Sequence, residues 1–367
     1  MSVYRQVLDY QADRIEDVLF SHKLPSRVFG GMVTPRFVRF RLALPMGVKV
    51  KQVSNLAEEI ALSLGVSSCR VFRQGADVNV EVPRQQAQVV HLLPLCKRLP
   101  EVPLHTAVLG LDDRGAPLLL RLSSPEVAHV LIAGTTGSGK TELARSMIAS
   151  LALFNRQSDA QLVLIDPRGQ GFAPFDGLAH LLWPVVRDAD EAVSVLKRLV
   201  AEMERRDREG CERPRVVVFV DELADLVYAG GREVEHALTR LVQRGRGAGI
   251  HVVACTQKPT TAIIGSLVKS NFPVRLVGSV TSPEDAKVAS GISQTGADRL
   301  LGRGDFILVA KGQVMRLQGA YIARDEIAAL VRRSAQRTEP IRLLAAADDK
   351  GWMPRLVQKV ANGFTRA

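Results

Sequence analysis

Apolar positions are thin at the start of the chain. Val3, Val7, Ile15 and Val18 recur among charged residues at close to a helical period, which predicts a polar amphipathic helix to about residue 25. Next, Phe37-Val38-Arg39-Phe40-Arg41-Leu42 alternates apolar and basic side chains, the period-2 pattern of a half-buried strand with a cationic outer face. Ser54 reads as the start of a helix, NLAEEIALSL, closed by Gly65, and short strands are predicted at 70–73 and 78–82 before Pro83. From about residue 104 the pattern changes to short continuous apolar runs separated by helical stretches. The runs at 129–133, 161–165, 216–220, 251–255, 274–280 and 306–310 are what strands buried on both faces look like.

These shifts divide the chain into an N-terminal helical segment (1–27), a small α+β domain (28–103), an α/β domain with a mainly parallel sheet (104–333) and a basic tail (334–367). Within the tail, residues 352–364 fit a basic amphipathic helix, a candidate docking element for a protein partner.

The composition, 46% hydrophobic and 24% charged, is that of an ordinary globular protein. No apolar run approaches the ~18 residues needed to cross a bilayer, and the charged N-terminus excludes a secretory signal. Four scattered cysteines, Cys69, Cys96, Cys211 and Cys255, lack disulfide or metal spacing. A reducing, cytoplasmic setting follows. The net charge of +11 favours a polyanionic partner, whereas aromatics at 5% argue against a stacking platform for single strands.

Two segments carry chemistry. The run HVLIA leads into Gly134-Thr135-Thr136-Gly137-Ser138-Gly139-Lys140-Thr141, followed by the helical ELARSMIASLAL. This is the phosphate-binding loop (Walker A), G-x-x-x-x-G-K-[ST], in its strand–loop–helix setting. Its glycines let backbone N–H groups approach phosphate oxygens, and the helix N-terminus adds partial positive charge. Lys140 is the residue to reach the β- and γ-phosphates of ATP, and the Thr141 hydroxyl is a ligand for Mg2+. Downstream, RVVVFV ends in Asp221-Glu222. A carboxylate at the tip of a buried strand holds a magnesium-bound water, and the next residue is placed to activate the attacking one. Asp221 is thus the second metal ligand and Glu222 the general base. Gln257, at the end of the 251–255 strand, is a candidate sensor of the γ-phosphate.

The chain resembles the FtsK/SpoIIIE family of DNA translocases. The resemblance is carried by HVLIAGTTGSGKT, LVLIDPR, AHLLWPVVRD, EMERRDREG, VVVFVDELADL, QRGRGAGIHVVACTQKP, LVKSNFPVRL and GADRLLGRGDFILV. GGMVTPRFVRFRLALPMGVKVKQVSNLAEEIALSLGV and DVNVEVPRQ are similar to the small domain that precedes the motor in that family, so the likeness spans about residues 28–333. It implies a RecA-like P-loop ATPase core, a ring-shaped hexamer, and pumping of double-stranded DNA through a basic pore. It also implies a trans-acting basic residue, for which Arg240, Arg246, Arg275 and Lys287 are candidates and Arg275 is favoured.

DNA is expected at the 260–273 loop just after Gln257, with Lys269 and Arg246 matching basic pore positions of the family. A motor indifferent to sequence should contact phosphates, which suits Lys and Arg. The family's membrane-spanning N-terminal region is not matched, and too few residues follow 333 for its winged-helix domain. Asp166-Pro167-Arg168 and Asp285-Ala286-Lys287 depart from the family's usual DPK and DSR. Two other readings stay open: a secretion or conjugation ATPase moving protein or single-stranded DNA, and a regulatory nucleotide-binding subunit of a mobile-element or defence complex.

Overall fold

The computed structural model describes residues 3–84, 88–257, 271–335 and 364–366. The chain forms two compact units, Met1–Val89 and Val90–Ala367. The division falls before residue 103 for a packing reason. Val90 and His91 pair with a strand of the second unit, and Leu92, Leu95, Cys96 and Leu99 are buried in that unit's core.

In the first unit a helix α1 (Val3–Ser21) precedes strands β1 (Arg27–Val33) and β2 (Phe37–Ala43), short helices α2 (Val50–Ser54) and α3 (Ala57–Leu64), and strands β3 (Arg70–Gln74) and β4 (Asp77–Pro83). The antiparallel sheet, ordered β1-β2-β4-β3, turns Val38, Phe40, Leu42, Val78, Val80 and Val82 inward against Ile15 and Leu19 of α1 and Ile60 of α3. The alternation predicted for β2 is present, but its outer face is not simply cationic. Arg39 is buried and paired to Glu81 at 2.8 Å, while Arg41 is exposed with its guanidinium 5.0 Å from the Phe29 ring centroid. Ser54 ends α2 rather than opening the next helix; its hydroxyl donates to the Val50 carbonyl one turn back. Gly65 closes α3 in the left-handed conformation, as its position predicts.

The second unit comprises β5 (Val90–His91), α4 (Leu92–Lys97), β6 (Thr106–Asp112), β7 (Pro117–Arg121), β8 (Val130–Ala133), α5 (Lys140–Phe154), β9 (Ala160–Ile165), α6 (Ala189–Glu209), β10 (Arg215–Val220), α7 (Leu223–Arg244), β11 (Ile250–Thr256), β12 (Val274–Val277), α8 (Pro283–Ser290), β13 (Asp305–Ala310), β14 (Gln313–Tyr321), α9 (Arg324–Ser334) and β15 (Phe364–Arg366). Its sheet runs β15-β7-β6-β14-β13-β12-β8-β11-β10-β9, with β5 added beside β14. From β12 to β9 every pairing is parallel, and from β12 to β15 every pairing along the path is antiparallel. The parallel half matches the apolar runs read from the sequence. Strands β6, β7 and β14 were not predicted: the register shift at Gly110 interrupts β6 and β7, and β14 is exposed at its start and buried toward its end, so neither a period-2 pattern nor a continuous apolar run marks it.

Alternation along the parallel strands builds two cores. Ile132, Leu164, Phe219 and Cys255 face the layer with Leu143, Met147 and Leu151 of α5. Leu131, Val163, Val218 and Val252 face Leu196, Leu199 and Met203 of α6 and Leu238 and Leu241 of α7. Burying each such side chain stabilises the fold by about 1.5–3 kcal/mol, which is why the middles of these strands are apolar and polar residues such as Gln161 and His251 stand only near their ends. The tips of β8, β9, β10 and β11 therefore collect the polar groups at one edge of the sheet, where ligands bind in open α/β sheets. Of the predicted tail helix, residues 352–363 lie outside the described residues, and Phe364 begins β15.

Candidate nucleotide-binding and catalytic site

The loop from β8 to α5 is held from behind by main-chain bonds. Gly134 N–H donates to the Thr256 carbonyl at 3.2 Å and Thr135 N–H to Ser279 at 2.8 Å; Arg303 and Gly304 N–H groups donate to Gly137 and Ser138 at 2.9 and 2.8 Å. Gly139 caps α5 at φ 99°, and a Cβ there would lie 2.8 Å from the Gly304 nitrogen, so both backbone conformation and space require glycine. The Gly302–Asp305 turn is in turn anchored by Asp305, which is 2% exposed and accepts from Arg316 Nε and Nη2 at 2.9 and 2.8 Å. This gives the GADRLLGRGD block a physical role as the backing of the phosphate loop.

Lys140 is buried at the first position of α5, its Nζ donating to the Gly134 and Thr135 carbonyls at 2.8 and 3.0 Å. Burial pushes its pKa down, and the charges of Glu222 and Asp221 partly oppose that. Its ammonium is thus stored on the loop that binds phosphate. Thr141 Oγ1 donates to Asp221 Oδ1 at 3.2 Å. Burial first, and then the Asp166 charge, raise the Asp221 pKa to about 6. Two hard oxygen ligands side by side fit magnesium, which takes few protein ligands and completes its shell with phosphate and water. The cradle fits as well. Gly171 lies against this pair so closely that a Cβ there would sit 2.3 Å from Asp221 Oδ2.

Glu222 is 5% exposed and adopts the left-handed conformation at φ 59°, turning its carboxylate away from Asp221. It accepts from Thr256 Oγ1 at 3.2 Å and from the Gln257 N–H at 3.1 Å. Gln257 Oε1 accepts from Thr136 Oγ1 at 2.9 Å, so the tip of β11 bridges the general-base candidate and the phosphate loop. The structure therefore gathers Lys140, Thr141, Asp221, Glu222, Gln257 and the 134–141 loop at one edge.

The basic candidates are not gathered there. Arg275, favoured as the trans-acting residue, is only 9% exposed, with Nε and Nη1 turned toward the Phe272 and Ala289 carbonyls. Within this chain the side chain is held inside its own fold, and a trans-acting role would require it to leave these contacts. Arg246 is exposed in the turn before β11, at the end of the strand opposite the phosphate loop, and Lys287 is exposed on α8. Arg240 pairs with Glu204. Lys269 and most of the 260–273 loop lie outside the described residues.

Sequence reasoning missed Asp166, Arg145 and Gly171, which pack beside the carboxylates. The signal was present: LVLID is an apolar strand ending in aspartate, the same pattern that singled out Asp221.

Fold and site define a P-loop ATPase of the RecA-like α/β class. The chain belongs to the FtsK/SpoIIIE family, whose model matches residues 100–209 and 206–261, while the FtsK alpha domain model matches residues 2–84. Among relatives, the DNA translocase FtsK of Mycobacterium tuberculosis (strain CDC 1551 / Oshkosh) is 32% identical, covering 90% of this chain and 44% of the relative. That of Staphylococcus aureus (strain Mu50 / ATCC 700699) is 33% identical, covering 85% and 43%. The chain thus spans less than half the length of these relatives. Among solved structures, the pCW3 conjugation coupling protein TcpA, in monomer form with ATPγS, superposes with a TM-score of 0.59 at 18% identity over 89% of this chain and 99% of TcpA. The cytoplasmic domain of the Thermomonospora curvata type VII secretion ATPase EccC gives 0.56 at 22% identity over 70% of this chain and 33% of EccC. At these identities the structures speak for the fold. Among the described residues no helix is long and apolar enough to cross a membrane.

Proposed function

We propose that this chain is an ATP-hydrolysing motor that moves double-stranded DNA, working as a ring-shaped hexamer in the cytoplasm. One observation carries the reading. The general-base candidate Glu222, the phosphate loop and Gln257 are joined by hydrogen bonds, and Gln257 leads directly into the basic 258–273 segment. A change at the γ-phosphate is thereby coupled to the chain that follows β11. In this reading Lys140 and the 134–141 amides hold the ATP phosphates, Thr141 and Asp221 hold Mg2+, and Glu222 takes a proton from the attacking water. The metal, when bound, neutralises charge developing on the transferred phosphoryl group. Lys269 and Arg246 contact DNA phosphates, and the basic tail docks a protein partner. Arg275 serves its own subunit, and a neighbour's exposed cation supplies the trans charge.

The relatives named as DNA translocases and the net charge of +11 support a DNA substrate. The test is ATP turnover without nucleic acid and with linear duplex, single strands or RNA. Duplex stimulation that falls steeply with salt is expected. Equal or greater stimulation by single strands, or none by duplex, overturns the reading. Lys269→Ala should weaken duplex binding uniformly across sequences and lower the salt slope by about 1.

A further inference from the structure

Strands β9 and β10 run parallel with Ile165 opposite Val220, and the Asp221 N–H donates to the Ile165 carbonyl at 2.9 Å. The next residue on each strand is an aspartate. Neighbouring strands lie about 4.8 Å apart, so Asp166 and Asp221 leave the sheet side by side. They also share a face: Leu164 and Phe219, two positions earlier on each strand, pack in the layer that holds α5. The same α5 presents Thr141 to Asp221.

The two carboxylates differ in what they touch. Asp166 is 0% exposed; its Oδ2 accepts the Gly171 and Phe172 N–H groups at 2.8 and 2.9 Å, while its Oδ1 has no hydrogen-bond partner. A buried carboxylate oxygen without a donor is costly, and a helix cap or turn would not require it. From its other side the same turn is clamped by Arg145, whose Nε and Nη2 donate to the Gly171 and Gln170 carbonyls at 2.6 and 2.9 Å. The clamp sets Gly171 directly against the Asp221 carboxylate and the Thr141 methyl, at 2.3 and 3.2 Å from where a Cβ would be.

We propose that Asp166 is a positioning residue of the metal centre: its free Oδ1 accepts a hydrogen bond from a water bound to the magnesium held by Asp221 and Thr141. Gly171, locked by Arg145, keeps the space beside Asp221 open for that shell. The inference rests on the magnesium assignment above. A water on a divalent cation is a strong donor, and carboxylates that orient metal-bound ligands typically govern affinity by 10–100-fold.

The experiment titrates Mn2+ into the protein with ATPγS and reads bound metal by electron paramagnetic resonance. Asp166→Asn keeps an oxygen for the Gly171 and Phe172 N–H groups but places a donor where Oδ1 stood. Mn2+ binding about 10-fold or more weaker is expected, with ATPγS affinity in EDTA unchanged. Wild-type Mn2+ affinity in this variant overturns the inference, because a purely structural role survives the substitution. Should the variant not fold, the wild-type complex with Mn2+ and ATPγS decides: its structure must show a metal-bound water hydrogen-bonded to Asp166 Oδ1, and its absence overturns the inference. If wild-type protein binds no Mn2+ beside ATPγS, the magnesium assignment itself falls and the inference falls with it.

Discussion

Replacing Glu222 by glutamine separates chemistry from stability at this site. The carboxylate is 5% exposed and serves two donors, Thr256 Oγ1 at 3.2 Å on Oε1 and the Gln257 N–H, shared between Oε1 at 3.1 Å and Oε2 at 3.2 Å. Glutamine retains an oxygen for both. What it loses is charge assistance, worth about 1 kcal/mol for each bond when a charged acceptor becomes neutral. Against this stands the relief of no longer burying an anion, so the net change in stability should stay within about 1 kcal/mol, a shift of roughly 2–4 °C for a unit of this size. Loss of a general base instead costs about 10²–10⁴ in rate, or roughly 3–5 kcal/mol of activation free energy. The chemical effect therefore exceeds the structural one. Phosphate release at saturating ATP with duplex DNA should fall at least a hundredfold, with ATPγS affinity held within a factor of about three. Turnover within threefold of wild type, with melting unchanged, would show that the proton goes elsewhere and refute the assignment of Glu222.

Lys140→Ala should reduce ATP hydrolysis to background and weaken nucleotide binding more than tenfold, because a buried ammonium is removed from the phosphate loop; a calorimetric titration checks the second part. Arg316→Ala leaves Asp305 buried and without its bidentate partner, which should cost about 3–5 kcal/mol and loosen the backing of the loop, visible as a lower melting temperature and weaker ATP binding together. Acid should destabilise the second unit through His251 and His129. Burial lowers their pKa values to about 4 and about 3, and their rings lie 6.4 Å apart. The folded form refuses protons that the unfolded chain accepts near pH 6.5. Their contribution is therefore complete above that pH and is lost as pH falls toward the folded values. By pH 5 the loss is about 2 kcal/mol per histidine, measurable as a drop in the urea midpoint between pH 8 and pH 5 that His251→Gln reduces.

Much of the site was legible along the chain because its parts are local. The 134–141 loop needs only its own glycines, the strand before it and the helix after it. Asp221-Glu222 announces itself as polarity at the end of five apolar residues, and the same local logic placed the parallel strands. Asp166 carries the same signal, but nothing in one dimension says which strand lies beside β10. The antiparallel half of the sheet was missed because β6 and β14 pair across more than two hundred residues, and their exposure is set by what covers them.

Other features belong to the tertiary structure alone. Arg275 and Arg246 are equivalent cations on paper. One is buried against the carbonyls of Phe272 and Ala289, the other stands in solvent at the far end of β11, and only packing distinguishes them. The left-handed turn at Glu222, which directs one carboxylate to β11 while its neighbour faces Thr141, is a backbone choice enforced by the strand tips around it. So is the meeting of Asp166, Gly171 and Asp221, which depends on the register of β9 against β10 and on a clamp from α5. Residue type and spacing determined which chemistry this chain carries. Long-range pairing decided which of its charges take part, because a charge acts over a few ångströms and the sequence does not measure distance.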